Sequence, residues 1–270
     1  MNQDRIVAIY VMVDDILKTL GHVSDVRAQV SDAEVLTVAI VAASECENQQ
    51  KRALSLMQQL GYLRHSLSES RFNRRLHQLS DWLTLVADKV GELGRTGEAY
   101  IIDSMPLPVC RRCRARRCRK VEGVAYCGHC AAKKEKFYGY RLHLVCNTEG
   151  CPVNFEIWPA LCDDRLPVPT LLAELPPGAR VAADKGYVSD PLRQQVQAAC
   201  DVDLVAARRA NMSPNTPDEL AFIRQYRRRI ETLFSQLTQM GVQRLRARTL
   251  DGFLIKVYAS LIAVACPLLN

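Results

Sequence analysis

At residues 91–98 the chain reads GELGRTGE, three glycines in eight residues, and the apolar residues keep different periods on its two sides. Upstream they recur every three or four positions, the spacing of helices packed by one face. Downstream they alternate or run in short blocks bounded by turn residues, the pattern of strands. No single layer type satisfies both patterns. The sequence therefore divides into a helical part, residues 1–94, and an α/β part, residues 95–270.

In the helical part, IVAIYVMVDDILKTLG (6–21) ends on Gly21 as a cap. SDAE (31–34) has the Ser-x-x-Glu form of a capping box, and ENQQKRALSLMQQLG (47–61) again ends in glycine. SLSESRFNRRLHQLSDWL (66–83) sets Phe72, Leu76, Leu79 and Leu83 along one face, with Arg71, Arg74 and Arg75 largely on another. These arginines are candidates for DNA phosphates; the alternative is a solvated helix face.

In the second part, AYIID (99–103) is a first strand and KFYGYRLHLVCN (136–147) an alternating second. VNFEIWPA (153–160) pairs back across NTEGCP as a hairpin, and ARVAAD (179–184) and VDLVAARR (202–209) supply two more. Five strands with helices between and after the later ones predict a mixed α/β sheet.

Three acidic residues stand out. Asp103 and Asp184 each close an apolar run, at the margin of a buried sheet. Glu231 lies in QYRRRIETLFSQL (225–237), on a polar stripe with Arg224, Arg227, Arg228, Ser235 and Thr238, beside the apolar stripe Ile223, Tyr226, Ile230, Leu233, Phe234, Leu237 and Met240. Two strand ends and one helix can bring three carboxylates together, a ligand set for two Mg²⁺ ions in phosphodiester chemistry. Taken singly, each aspartate also reads as a turn or cap residue, and Glu231 as an intrahelical partner of Arg227.

The wording around the carboxylates carries a resemblance. IIDSMPLPVC (101–110), FYGYRLHLV (137–145), AADKGYVS (182–189), RRRIETLFSQL (227–237) and RARTLDGFL (246–254), with the weaker SDAEVLTVAI (31–40) and SRFNRRLHQLSDWL (70–83), resemble in order and rough distance bacterial insertion-sequence transposases of the Asp-Asp-Glu type. The insertion-sequence family numbered 982 is the nearest in wording. The resemblance spans about residues 30–265 and implies an RNase H-like catalytic domain behind a helix-turn-helix-like N-terminal domain. It also implies Asp103, Asp184 and Glu231 as catalytic Mg²⁺ ligands, with Mn²⁺ able to substitute, and cutting and joining of DNA at the element's terminal inverted repeats and at target DNA by a homodimer or larger synaptic complex. The superfamily often carries Tyr-x2-Arg-x3-Glu-x6-Lys around the glutamate. Here Arg227 matches the arginine, but Arg224 stands for the tyrosine and Thr238 for the lysine. Arg227, Arg228 and the block RLRAR, with Arg244 and Arg246, are then the candidates for a terminal phosphate. Asp163 and Asp164, after the third strand, are either support for the site or a loop pair.

A net charge of +7 is concentrated in CRRCRARRCRK (110–120), KKEK (133–136) and the blocks just named, so Arg114, Arg116, Arg117, Lys133 and Lys134 join the DNA-binding candidates. Eleven cysteines accompany no export signal, which favours reduced thiols or metal ligands. Cys110-x2-Cys113 and Cys127-x2-Cys130, within the Cys/Arg-rich segment 110–130, have the form of a zinc knuckle; the alternative is reduced cysteines in a basic loop. His143 reads as a strand histidine, and Lys185 and Tyr187 as either phosphate contacts or turn builders. The apolar run 257–269 is too short for a bilayer, and a cytoplasmic, nucleoid-associated protein is expected. Two other readings remain open: a DNA-binding zinc-ribbon protein that has lost its chemistry, and a stand-alone Mg²⁺ nuclease of the same fold.

Overall fold

The helical periods of the first ninety residues become five helices: α1 Gln3–Thr19, α2 Asp32–Glu45, α3 Gln50–Gln59, α4 Glu69–Gln78 and α5 Ser80–Leu93. The structure is a computed structural model and describes residues 3–130 and 134–266. The Ser31 hydroxyl and Glu34 carboxylate form the expected reciprocal cap of α2. The stretch 66–83, expected as one amphipathic run, is two helices that break at Leu79, while Phe72, Leu76, Leu79 and Leu83 are all buried.

The chain folds as two compact units, Met1–Val90 with Gln236–Asn270 and Gly91–Ser235. The C-terminal residues thus join the helical unit, which departs from the expected division at 94/95 with 95–270 together. The reason lies in α9 (Leu250–Ala265), which buries Phe253, Ile255, Val257, Leu261, Ile262 and Val264. A helix apolar on all sides needs neighbours on all sides. It packs on α2, equally apolar all round, and Asn48 ties the two regions by donating to the Met240 carbonyl at 2.9 Å and Ser260 Oγ at 3.0 Å.

Arg75 is built into the same unit. Its guanidinium donates to the Val30 carbonyl and to the Asp32 carboxylate, which also meets His22 Nε2 at 2.9 Å. Burial alone would raise the Asp32 pKa, but the hydrogen bonds from His22 and Arg75 outweigh it and hold the carboxyl below its usual range. Arg75 is therefore a strut of the helical unit rather than a side chain offered to DNA. Arg75→Ala is expected to cost about 2–3 kcal/mol in a urea titration, because it strands a half-buried carboxylate. Arg71→Ala and Arg74→Ala, at exposed positions, are expected to change stability by less than about 0.5 kcal/mol. With its folded pKa depressed, Asp32 contributes stability above its ordinary value of 3.8 that disappears as pH falls through the folded value. Asp32→Asn should accordingly flatten the acid side of the pH–stability curve.

Among the described residues the second unit holds a sheet of six strands: β1 Ala99–Arg111, β2 Cys127–Cys130, β3 Glu135–Asn147, β4 Pro152–Pro159, β5 Arg180–Ala183 and β6 Asp203–Ala206. Its order is β2-β3-β1-β5-β6, with β4 beside β2 on the same edge of β3. β1 runs antiparallel to β3 and parallel to β5, and β5 parallel to β6. The sheet is mixed, as expected, with one strand more than the five expected. β1 also continues eight residues past Asp103. Pro106 and Pro108 are tolerated there because β5 pairs only with Ala99–Ile102, which among the described residues leaves the far part of β1 a free edge where a missing N–H costs nothing.

The two faces of the sheet separate by alternation. Tyr100, Ile102, Val181, Ala183 and Leu204 pack with Val168, Leu171 and Leu172 of α6 (Val168–Leu172) and Leu192 and Val196 of α7 (Asp190–Cys200). Ile101 and Ala182 face Ile223 and Ile230 of α8 (Pro217–Gln239). The start of α8 is fixed by Thr216 and Glu219: the Thr216 hydroxyl accepts from the Glu219 amide at 3.2 Å, and the Glu219 carboxylate accepts from the Thr216 amide at 3.1 Å.

Candidate active site

The register of two parallel strands brings the first two carboxylates together. Ile102 of β1 lies opposite Ala183 of β5, so Asp103 and Asp184 follow one step later on adjacent strands, about 4.8 Å apart in the sheet. Both lie on the α8 face, where they line one small cavity with Ile101, Ala182, Ile223, Arg227 and Ile230. β5 ends at Ala183, which leaves Asp184 at the head of the turn Lys185–Tyr187 and opens the edge of β1 beside Asp103.

The third carboxylate comes from α8, whose apolar stripe buries Ile223, Ile230, Leu233 and Leu237 against the fold. Glu231, next along the helix, is exposed. Arg227, one turn earlier, links the set: its guanidinium stands 3.5 Å from Asp184 Oδ1 and 3.5 Å from Glu231 Oε1. Burial pushes the Asp103 carboxyl up to about 6, with the charges of Asp184 and Asp164 adding to the rise, while the Ser104 amide at 2.7 Å and Arg227 oppose it.

The transposase DDE domain family matches residues 93–249, more than half of the chain and the whole span from β1 through Glu231. The chain belongs to the DDE transposase family. A comparison with curated proteins gives no match. The family brings DNA as the partner and divalent metal, typically Mg²⁺, as the cofactor.

Among the described residues, no three His, Cys, Asp or Glu side chains stand close enough to form a ready metal cluster. In the transposase the Arg227 guanidinium supplies positive charge between two of the three carboxylates. The donor set nonetheless fits a hard divalent cation, because all three groups offer carboxylate oxygens and Asp103 gains most from a neighbouring positive charge.

The zinc expectation fares differently. Cys127 and Cys130 lie three residues apart in extended β2, which sends their side chains to opposite faces with backbones about 10 Å apart. Cys110 and Cys127 both stand opposite Tyr138, with β3 between them. Cys110 instead sits with Cys118 and Cys113, and burial with these neighbours pushes its thiol up to about 11. Cys127 Sγ accepts from Arg112 at 2.6 Å. A C-x2-C pair chelates when a turn folds it back, and a strand prevents that, so Cys110, Cys113, Cys127 and Cys130 do not gather.

Of the DNA-binding candidates, Arg71, Arg74, Arg114, Arg116, Arg117, Lys134, Arg228, Arg244 and Arg246 are exposed. Lys133 lies outside the described residues. Arg244 and Arg246 belong to the helical unit, Arg227 and Arg228 to the sheet unit. Tyr187 is buried as a turn builder, and Lys185 is exposed.

On the opposite face of β1 lies a polar group of which sequence reasoning names His143, as a strand histidine, and Asp164, as site support or a loop residue, but passes over Arg141. Arg141 donates to Ser104 Oγ at 3.3 Å and approaches Asp164 Oδ1 at 3.5 Å; His143 Nε2 lies 3.9 Å from the same oxygen. Burial drives the His143 pKa down to about 4, so the ring is neutral near pH 7. Asp163 is held by Arg165 and its carboxyl lies near 2. Arg141 and His143 share one face of β3 with apolar Val145, and that interruption was the available signal.

Proposed function

We propose that this chain mobilises an insertion sequence of the kind numbered 982, binding its terminal inverted repeats and carrying out Mg²⁺-dependent strand cleavage and strand transfer as a homodimer or larger synaptic complex. The observation that carries the reading is the β1–β5 register, which sets Asp103 beside Asp184 on the face where α8 brings Glu231 and Arg227. Divalent cations held by Asp103, Asp184 and Glu231 would activate water or a DNA 3′-hydroxyl and neutralise the leaving 3′-oxygen. The protein's own part is positional. The sheet holds two carboxylates rigidly at a strand margin, and the capped α8 holds the third. Arg227 balances their charge until DNA and metal arrive. No side chain is needed as a nucleophile.

An RNase H-like topology and a DNA-reading role for α4, with Arg71 and Arg74 outward, complete the proposal; Arg114, Arg116, Arg117 and Arg228 would add phosphate contacts. The test is movement in cells of a marker flanked by the DNA ends that border the gene. Excision with recovery of the marker at new sites supports a transposase. Broken donor DNA without rejoining would instead identify a nuclease, and stable protein bound to the ends without any breakage would identify a DNA-binding protein that has lost its chemistry.

A further inference from the structure

Beyond Ala183 the free edge of β1 separates the carboxylates on one sheet face from an open groove of about 570 Å³ on the other. Arg112, Lys136 and Arg141 line this groove, with the backbones of Gly128 and Gly186 at its walls. Among its described lining residues the acids are Asp163 and Asp164, and Asp164 is ion-paired with Arg141. Asp163 is already neutralised by Arg165, so cations outnumber the acids left to pair with them. Arg141 is the joint between groove and carboxylates: it lines the groove, donates to Ser104 next to Asp103, and donates to the His129 carbonyl of β2 at 3.4 Å. Its Nε is buried and makes no hydrogen bond, but stands 3.5 Å from the Asp164 carboxylate as an ion pair.

Shape and charge both select the occupant. An open, polar groove with cations along it and, among its described lining residues, no Phe, Tyr or Trp suits a run of backbone phosphates rather than a stacked base. Gly128 leaves room for the Phe137 ring behind it, which a side chain there would strike at 2.3 Å. The exposed arginines of residues 112–117 continue the positive surface outward.

We propose that this groove holds the backbone phosphates next to the scissile position on one DNA strand, with Arg141 binding nearest Asp103 and Arg112 and Lys136 binding farther out. This rests on the transposase reading and adds to it the path of the strand, around the free edge of β1. Arg141 also positions Asp103 through Ser104.

The test pairs protein and DNA changes. The DNA ends bordering the gene are made with single neutral methylphosphonates at each position around the cut, and binding is measured by competition against wild-type protein, Arg141→Gln and the double variant Arg112→Gln/Lys136→Gln. In wild type, neutralising one or two phosphates beside the cut is expected to weaken binding about 10-fold. With Arg141→Gln the innermost of these lesions should cost less than about 2-fold further, and with the double variant the outer ones, while the salt slope falls by about one for each phosphate left unneutralised by the protein. Lesions that cost the variants as much as wild type would overturn the groove. If Arg141→Gln fails to fold by circular dichroism, the double variant at the exposed rim decides alone. Wild-type protein that binds no ends at all would sink the transposase reading itself, a result distinct from binding with an unchanged interference pattern.

Discussion

Asp103→Asn, Asp184→Asn and Glu231→Gln are each expected to lower cleavage of the element's ends by at least about 10³-fold, the scale on which a lost charge-stabilising group acts. End binding should persist, because the exposed arginines that would carry it are untouched. Asp103→Asn carries a second, opposite expectation. Burial and the charges of Asp184 and Asp164 hold its carboxyl near 6, above the ordinary value of 3.8. An acid whose folded pKa is raised destabilises the fold progressively as pH rises through that interval, and above about 6 the full penalty is present. The full shift would correspond to about 3 kcal/mol; Asp103 is largely buried but keeps some contact with solvent, so about 1–2 kcal/mol is the reasonable gain for Asp103→Asn at pH 7 in chelator. Added Mg²⁺ should raise the melting temperature of wild type and leave that of Asp103→Asn unchanged. An inactive variant that also melts lower than wild type in chelator would mean that Asp103 serves the fold rather than the chemistry.

Gly139→Val is expected to have the largest structural effect of any single change in the sheet. Gly139 stands opposite Pro108 in β1, next to the irregularity between Pro108 and Cys110. A Cβ there would lie 2.4 Å from the Leu107 carbonyl oxygen and 2.6 Å from the Val109 amide nitrogen. Both are backbone atoms, so no rotamer change relieves the clash; the strands themselves must part. The cost should exceed about 3 kcal/mol, at the upper end for overpacking, and show as a lower urea midpoint. Gly97→Ala is the control, because its Cβ would meet nothing within 4 Å and its φ of +87° limits the penalty to about 1 kcal/mol of backbone strain. Equal losses at the two positions would show that strand packing at Gly139 tolerates a side chain.

The sequence by itself determined which residues form elements and which face each buries. The apolar periods located all five expected strands, and Ser31 with Glu34 marked the start of α2. The runs ending at Asp103 and Asp184 pointed to a sheet margin, and the stripe ending at Met240 put Glu231 beside the packed face of α8. These are local properties, set by backbone geometry and by the cost of leaving apolar side chains in water. Tertiary structure alone decided the matters that depend on distant partners. AYIID reads as a strand that closes on Asp103 until pairing with β3 is seen to carry it on to Arg111. Arg75 reads as a surface cation until Asp32, 43 residues earlier, is found beside it. The C-x2-C spacing reads as a chelate until pairing with β3 extends Cys127–Cys130 into a strand. Residues after 235 follow the sheet in sequence but fold with the first ninety, because an all-round apolar α9 is buried only where α2 offers a matching surface. A side chain's chemistry is written in the sequence; its neighbour is chosen by which distant surfaces exclude water together.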